Sequence, residues 1–209
     1  NPSAWESYNG VNPCQHSSAI IADVSTGNFS GLNLRYEDKV GCEPTFFLSY
    51  QEMNFILAEA AARGLISGDA ATYYNEGIRS SMQFVSKHST GWVPADREMT
   101  ADYIESYIAS PEVKFASTLE AQVEQIIWQK YITTFLQTPY SAFFEYRRTN
   151  VPNIKIDPGS NKNNPSDKMP LRWMYPTAEI SYNMENLTEA IQRQYNGSDD
   201  YMGVMWILK

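Results

Sequence analysis

The apolar and polar positions divide the chain into three stretches. Residues 1–47 carry no helical period. Asn, Gly, Ser and Pro recur there, with short apolar runs at Ala19-Ile20-Ile21 and Thr45-Phe46-Phe47-Leu48. Short runs between turn residues predict loops with one or two short strands. From Ser49 the period changes. Met53, Ile56, Leu57, Ala60 and Ala61 recur at helical spacing and predict one buried stripe. Ser49 and Glu52 have capping-box spacing, and Gly64 suits the position just past the helix end. Asp69 heads a second helix, on which Ala70, Tyr73, Tyr74, Gly77, Ile78, Ser81, Phe84 and Val85 repeat at three and four. Gly77 lowers helix propensity by about 1 kcal/mol against Ala, so its place on that stripe predicts a close helix contact.

Two helices joined by a short turn form an αα-hairpin like one tetratricopeptide unit, and no second copy follows at a fixed period. Thr100 caps a helix over 101–109, which Pro111 ends. Ser117 and Glu120 repeat the capping-box spacing before a long helix from Thr118 to about Gln137. Its face holds Leu119, Val123, Ile126, Ile127, Tyr131 and Phe135. Trp128, Ile132 and Leu136 widen it, which predicts burial on more than one side. Thr138 and Pro139 open a further helix to about Arg148. Residues 149–170 are a long polar loop, followed by an extended Arg172–Pro176 segment. Short helices are predicted from Thr177 and over 186–194, then a turn at 196–200. Val204–Leu208 reads as a strand. The fold class is mainly α: an irregular helical fold with a tetratricopeptide-like αα-hairpin, long loops and a few short strands. Residues 1–47 form a loop-rich segment, 48–148 a helical core, and 149–209 a loop with C-terminal helices.

Charge and composition narrow the function. The 209 residues carry 24 acidic and 16 basic side chains, a net charge of −8. That balance argues against nucleic acid, whose phosphates are met by basic patches. No apolar run is long enough for a membrane span. Aromatic residues are abundant, with 14 Tyr, 9 Phe and 5 Trp. Most suit a half-buried place in or near the core. Exposed rings would also make a platform for sugars, whose C–H faces pack on them while hydroxyls pair with amides and carboxylates.

Catalytic signatures are missing. There are two histidines, His16 and His88. Gly27-Asn28-Phe29-Ser30-Gly31 lacks the spacing of a nucleophile elbow, and there is no Walker loop, GxGxxG or HExxH. Cys14, His16 and Cys42 match no standard zinc spacing. The cysteines leave a bridge or two buried thiols open. Asp157, Asn161, Asn163 and Asp167 are oxygen donors without EF-hand spacing, as in a plain surface loop. Sequons at Asn28, Asn186 and Asn196 match a pattern short enough to arise by chance. No catalytic residue, metal site or cofactor is assigned.

Three segments then become specific. Tyr50-Gln51-Glu52 through Ala58-Glu59-Ala60 precedes Tyr74-Asn75-Glu76-Gly77-Ile78-Arg79. Glu124-Gln125-Ile126-Ile127-Trp128-Gln129-Lys130-Tyr131 precedes Glu145-Tyr146-Arg147-Arg148-Thr149-Asn150-Val151-Pro152. Arg172-Trp173-Met174-Tyr175-Pro176 leads to Glu179, Asn183 and Asn186. In this order they resemble the signature of the SusD/RagB family of outer-membrane nutrient-binding lipoproteins of Bacteroidetes, in its SusD-like type-two branch. Asn150 stands where the family has Gly, and Asn also tolerates a left-handed turn. Gln129, Lys130, Glu145, Arg147 and Arg148 are read as positioning groups on buried helices, since charges near a core need partners.

The resemblance implies a non-enzymatic, surface-exposed glycan-binding protein of the outer membrane. It would pass oligosaccharide, or a peptide, to a SusC-like TonB-dependent transporter. It also implies that this chain is the C-terminal portion of a longer protein. An export signal, a lipid anchor and further tetratricopeptide-like helices would precede it, and Cys14, with no apolar signal before it, is not the lipid site. The candidate ligand-binding residues are Trp92, Trp173 and Tyr175. Two other readings stand beside this one: a scaffold gripping the transporter, and a helical glycoside hydrolase.

Overall fold

The computed structural model describes residue 6 and residues 8–27, 29–138 and 140–208. The sequon at Asn28 and the helix start at Pro139 lie outside them. The helices are α1 (Ser17–Ser25), α2 (Arg35–Asp38), α3 (Tyr50–Ala62), α4 (Ala70–Ser89), α5 (Ala101–Ala109), α6 (Leu119–Thr133), α7 (Ser141–Thr149), α8 (Thr177–Tyr182) and α9 (Met184–Tyr195). Short 3-10 turns occur at Ala95–Arg97 and Trp206–Leu208. The fold is mainly α, as predicted. The chain forms two compact units. The first takes the described residues of Asn1–Gly10 and Gly27–Asn153, the second those of Val11–Thr26 and Ile154–Lys209.

In the first unit, α3 packs along α4 and against α6, and α5 packs on α4. The core joins Phe55, Ala58, Tyr74, Ile78, Ile104, Ile108, Val113 and Ile126. Local chemistry starts and stops the hairpin helices. Ser49 Oγ accepts from the Glu52 amide at 3.1 Å, and Asp69 Oδ2 from the Thr72 amide at 3.0 Å. Each bond satisfies a donor that the first turn leaves orphaned. At the end of α3, Gly64 has φ +70°. Its amide reaches the Ala61 carbonyl while Leu65 N reaches Ala60 O, each at 2.9 Å. This is a complete Schellman motif. Gly77 is the predicted close contact: a Cβ there would lie 2.6 Å from Phe55 Cε1. The Tyr74 hydroxyl, in the same core, donates to Val113 O at 2.9 Å.

Several expectations need correction. The buried face of α3 is Gln51, Asn54, Phe55 and Ala58, whereas Met53 and Ile56 of the predicted stripe are 38% and 46% exposed. The helix has apolar residues on two sides, and within this unit the core took the side carrying Phe55. The same holds for α6. Val123, Ile126, Ile127 and Lys130 are buried, but Leu119, Trp128, Tyr131 and Ile132 are exposed. The helix is therefore buried on one side, and it ends at Thr133. Leu136 beyond it has φ +56°. The predicted Ser117 cap does not form; Thr118 is the cap residue, without a side-chain bond. Instead Gln125 Oε1 accepts from Ala116 N at 2.8 Å, and Gln122 Nε2 donates to Ala116 O at 2.9 Å. The predicted strands are also absent among the described residues. Ala19-Ile20-Ile21 lies inside α1, headed by His16, whose ring accepts from Ser18 N. Trp206–Leu208 coils as a 3-10 turn. Thr45–Leu48 runs irregularly, with Phe46 packed on Phe84 at 4.9 Å. A short apolar run has no period long enough to separate helix from strand.

The second unit holds α1, α8, α9 and the polar loop. That loop is closed by its own side chains: Asn161 Nδ2 donates to the carbonyls of Ser166 and Lys168, and Ser160 Oγ to that of Cys14. Helix α8 begins at the predicted Thr177, and α9 begins and ends within two residues of its predicted bounds. Both cysteines are free thiols. Among the described residues no helix is long and apolar enough to cross a membrane.

Candidate functional site

Two of the three candidate residues lie in the second unit, on the extended chain before α8. This segment is built around Arg172, a buried cation. Its Nη1 donates to Asp199 Oδ1 at 2.6 Å and to Asp200 O at 3.0 Å. Its guanidinium carbon lies 4.1 Å from the Tyr195 ring centre and 5.4 Å from that of Tyr175. Asp199 Oδ2 accepts from Tyr175 N at 3.0 Å. Leu171 and Arg172 also donate their amides to Tyr201 O. A buried charge is tolerated when paired and hydrogen-bonded in this way. Tyr175 is consequently half-buried and serves partly as packing for Arg172. Trp173, next to the anchor, is 54% exposed. Trp206 and Tyr182 of the same unit are more exposed still, and the sequence reading did not count them as ligand-binding candidates.

Trp92 belongs to the first unit, so Trp92 and the Trp173–Tyr175 pair lie in separate compact bodies. Trp92 is half-buried, and its main chain is engaged at both ends. Its amide donates to Ser89 O at 2.9 Å, and its carbonyl accepts from Asn33 Nδ2 at 3.0 Å. Asn33 Oδ1 in turn accepts from Arg35 N at 3.1 Å, heading α2.

That tether borders a feature the sequence did not announce. A cavity of about 340 Å³ opens in the first unit. Arg35, Tyr36, Glu43 and Gln137 form its polar end, and Met82, Met99 and Phe135 are among its apolar walls. The polar groups come from positions as far apart as 35 and 137, with no motif spacing.

The signature charges act elsewhere, as a brace between helices. Arg148 on α7 meets Glu59 on α3 with two parallel bonds of 2.7 Å and Glu145 at 2.6 Å. Lys130 on α6 pairs with Glu145 at 2.5 Å and stands 3.8 Å from Glu52. Arg63 adds a bond of 2.8 Å to Glu59. Burial alone would raise the Glu59 carboxyl pKa, but the guanidinium bonds from Arg148 and Arg63 hold it below the usual carboxylate value. Arg79 likewise ties α4 to Glu105 of α5 with bonds of 2.7 and 3.1 Å. These residues position helices, as their placement near buried faces predicted. Asn150 ends α7 with φ +60°, the left-handed conformation expected where the pattern has Gly.

A model of a SusD-like protein family, described as starch-binding and associating with the outer membrane, matches residues 3–176. Among solved structures, a SusD homologue from Bacteroides fragilis is 38% identical and superposes with a TM-score of 0.91, over 99% of this chain and 45% of its own. A second B. fragilis SusD homologue is 36% identical with a TM-score of 0.85, over 97% and 43%. A protein described as chitin-binding is 32% identical with a TM-score of 0.60, over 76% of this chain and 32% of that one. The chain thus spans less than half the length of the structures it matches. No curated protein sequence matches it.

Proposed function

The chain belongs to the SusD-like family, and on that premise we propose that it serves a cell-surface glycan-binding lipoprotein that delivers oligosaccharide to a SusC-like TonB-dependent transporter. It binds and does not catalyse. The match to a family described as starch-binding carries this reading, and the chitin-binding relative supports the same ligand class. Trp173 is the proposed contact, because a large exposed ring beside a rigid anchor offers area at low entropic cost. Calorimetry with starch and chitin oligosaccharides tests it. Trp173→Ala is expected to weaken binding about tenfold, or about 1.4 kcal/mol, with a smaller loss for Trp92→Ala. An undiminished affinity in Trp173→Ala would remove that residue, and no binding to any glycan would remove the reading.

A scaffold that mainly grips the transporter is the second reading. The exposed apolar side chains of Ile132, Phe135 and Leu136 favour it, since clustered apolar surface marks interaction sites. Co-purification with a β-barrel partner in the absence of glycan binding would select it.

A further inference from the structure

One buried amide in the first unit has nothing to bond. Gln51, in the first turn of α3, lines the cavity and is only 6% exposed. Its side chain forms no hydrogen bond to the described residues. Gln122, Gln125, Gln129 and Gln137 of the same unit all use their amides. The Gln51 amide is not sealed off: neither Nε2 nor Oε1 is among the unpartnered atoms that have lost their accessible surface. It can therefore be reached from the cavity that the residue lines. Helix α3 does not need it either, since Ser49 caps the first turn and Phe55 and Ala58 supply the core contact. Buried amides are nearly always satisfied, so an idle one that remains accessible defines what would complete it.

A carboxamide presents an N–H donor and a carbonyl acceptor side by side on one flat edge. Its complement is a second flat edge with an acceptor and a donor on neighbouring atoms, as on adenine. Charge points to a neutral molecule. Arg35 and Glu43 are the charged side chains of the lining, and they face each other at 2.9 Å. Most of the cavity surface is apolar, with Phe84, Tyr103, Phe135, Met82 and Met99 among its walls. A sugar would strand hydroxyls against such walls. A nitrogen heteroaromatic keeps its polar atoms on its edge and offers apolar faces to rings and thioethers. Tyr103 and Phe135 are also exposed, so the cavity opens beside them. About 340 Å³ is at the small end of ligand pockets, enough for one flat ring system.

We propose that this cavity binds a neutral nitrogen heteroaromatic ring whose edge carries an adjacent donor and acceptor, held by paired hydrogen bonds to Gln51. The site is separate from the exposed Trp173 and does not depend on glycan capture there.

Methionine-methyl NMR on the chain tests it, because an aromatic ligand shifts nearby methyls by its ring current. Adenine and nicotinamide are titrated separately. At least one is expected to shift the Met82 and Met99 methyls saturably, while Met174, next to Trp173, stays in place. Indole has the donor without the acceptor and quinoline the acceptor without the donor, and each is expected to bind about tenfold more weakly or worse. Gln51→Leu is expected to weaken binding by a similar factor. No bond within the protein is lost in this variant, so its urea midpoint should not fall. The proposal is overturned if neither adenine nor nicotinamide moves Met82 and Met99, if indole or quinoline binds as tightly, or if Gln51→Leu binds as the parent does. A lower midpoint in Gln51→Leu would assign the amide to the fold and also overturn it. A shift confined to Met174 counts against the cavity.

Discussion

Gly77 shows what one missing carbon does. Ala is the better helix former by about 1 kcal/mol, so propensity alone favours Gly77→Ala. The added Cβ would fall 2.6 to 2.9 Å from three ring carbons of Phe55, which is fully buried and cannot swing away. Overpacking of this kind costs about 1–3 kcal/mol, so the clash outweighs the propensity gain. Gly77→Ala is expected to lower stability by about 1–2 kcal/mol, seen as a lower denaturant midpoint at unchanged slope. At this scale the sequence was informative wherever the constraint is local. Gly64, Asp69, Ser49 and Asn150 all took the conformations or bonds their positions predicted. It was misleading for Met53 and Ile56, because a helical period reveals an apolar side without saying which side the core will use.

Between elements, the brace of α3, α6 and α7 carries a pH signature. The folded pKa of Glu59 lies below its ordinary value. The unfolded chain therefore binds more protons through this group than the folded one. Its contribution is fully present above the ordinary glutamate pKa of about 4.3 and is lost as pH falls through the lower folded value. Stability of the parent is expected to decline below about pH 5. Glu59→Gln should cost about 1–2 kcal/mol at neutral pH, a value reduced because Arg148 is partly exposed, and should flatten the acid decline. Urea midpoints of both proteins from pH 7 to pH 3 give the comparison. An acid slope unchanged in Glu59→Gln would assign the decline to other carboxylates. The charges of this brace that belong to the signature, Lys130, Glu145 and Arg148, read as positioning groups in the bare sequence. Their bonds to partners on other helices agree: they set helix positions.

For the molecule as a whole, the two units rest on different devices. The first has an apolar core, whereas the chain around Trp173 in the second turns on Arg172 with Asp199, Tyr195 and Tyr201. Removing one member of a buried pair leaves the other uncompensated, which typically costs about 3–5 kcal/mol. Arg172→Ala is expected to speed hydrogen exchange at the Leu171 and Tyr175 amides, whose acceptors are Tyr201 O and the Asp199 carboxylate that the guanidinium holds. Unchanged protection at both would show that the segment is held by other contacts. If Trp173 contacts glycan, the same variant should weaken binding although it leaves the tryptophan in place.

Unlike α1 and α2, the helices from α3 onward, most caps, the left-handed stop at Asn150 and the family were legible in the linear order of residues. Each depends on groups within a few positions of one another, where a single turn satisfies or strands a backbone donor. The buried faces of α3 and α6 and the polar end of the cavity were not legible. Glu43 meets Gln137 across 94 residues and Glu59 meets Arg148 across 89. Nothing periodic encodes such pairs, because they form only when packing brings distant helices together and excludes the water that would otherwise satisfy them.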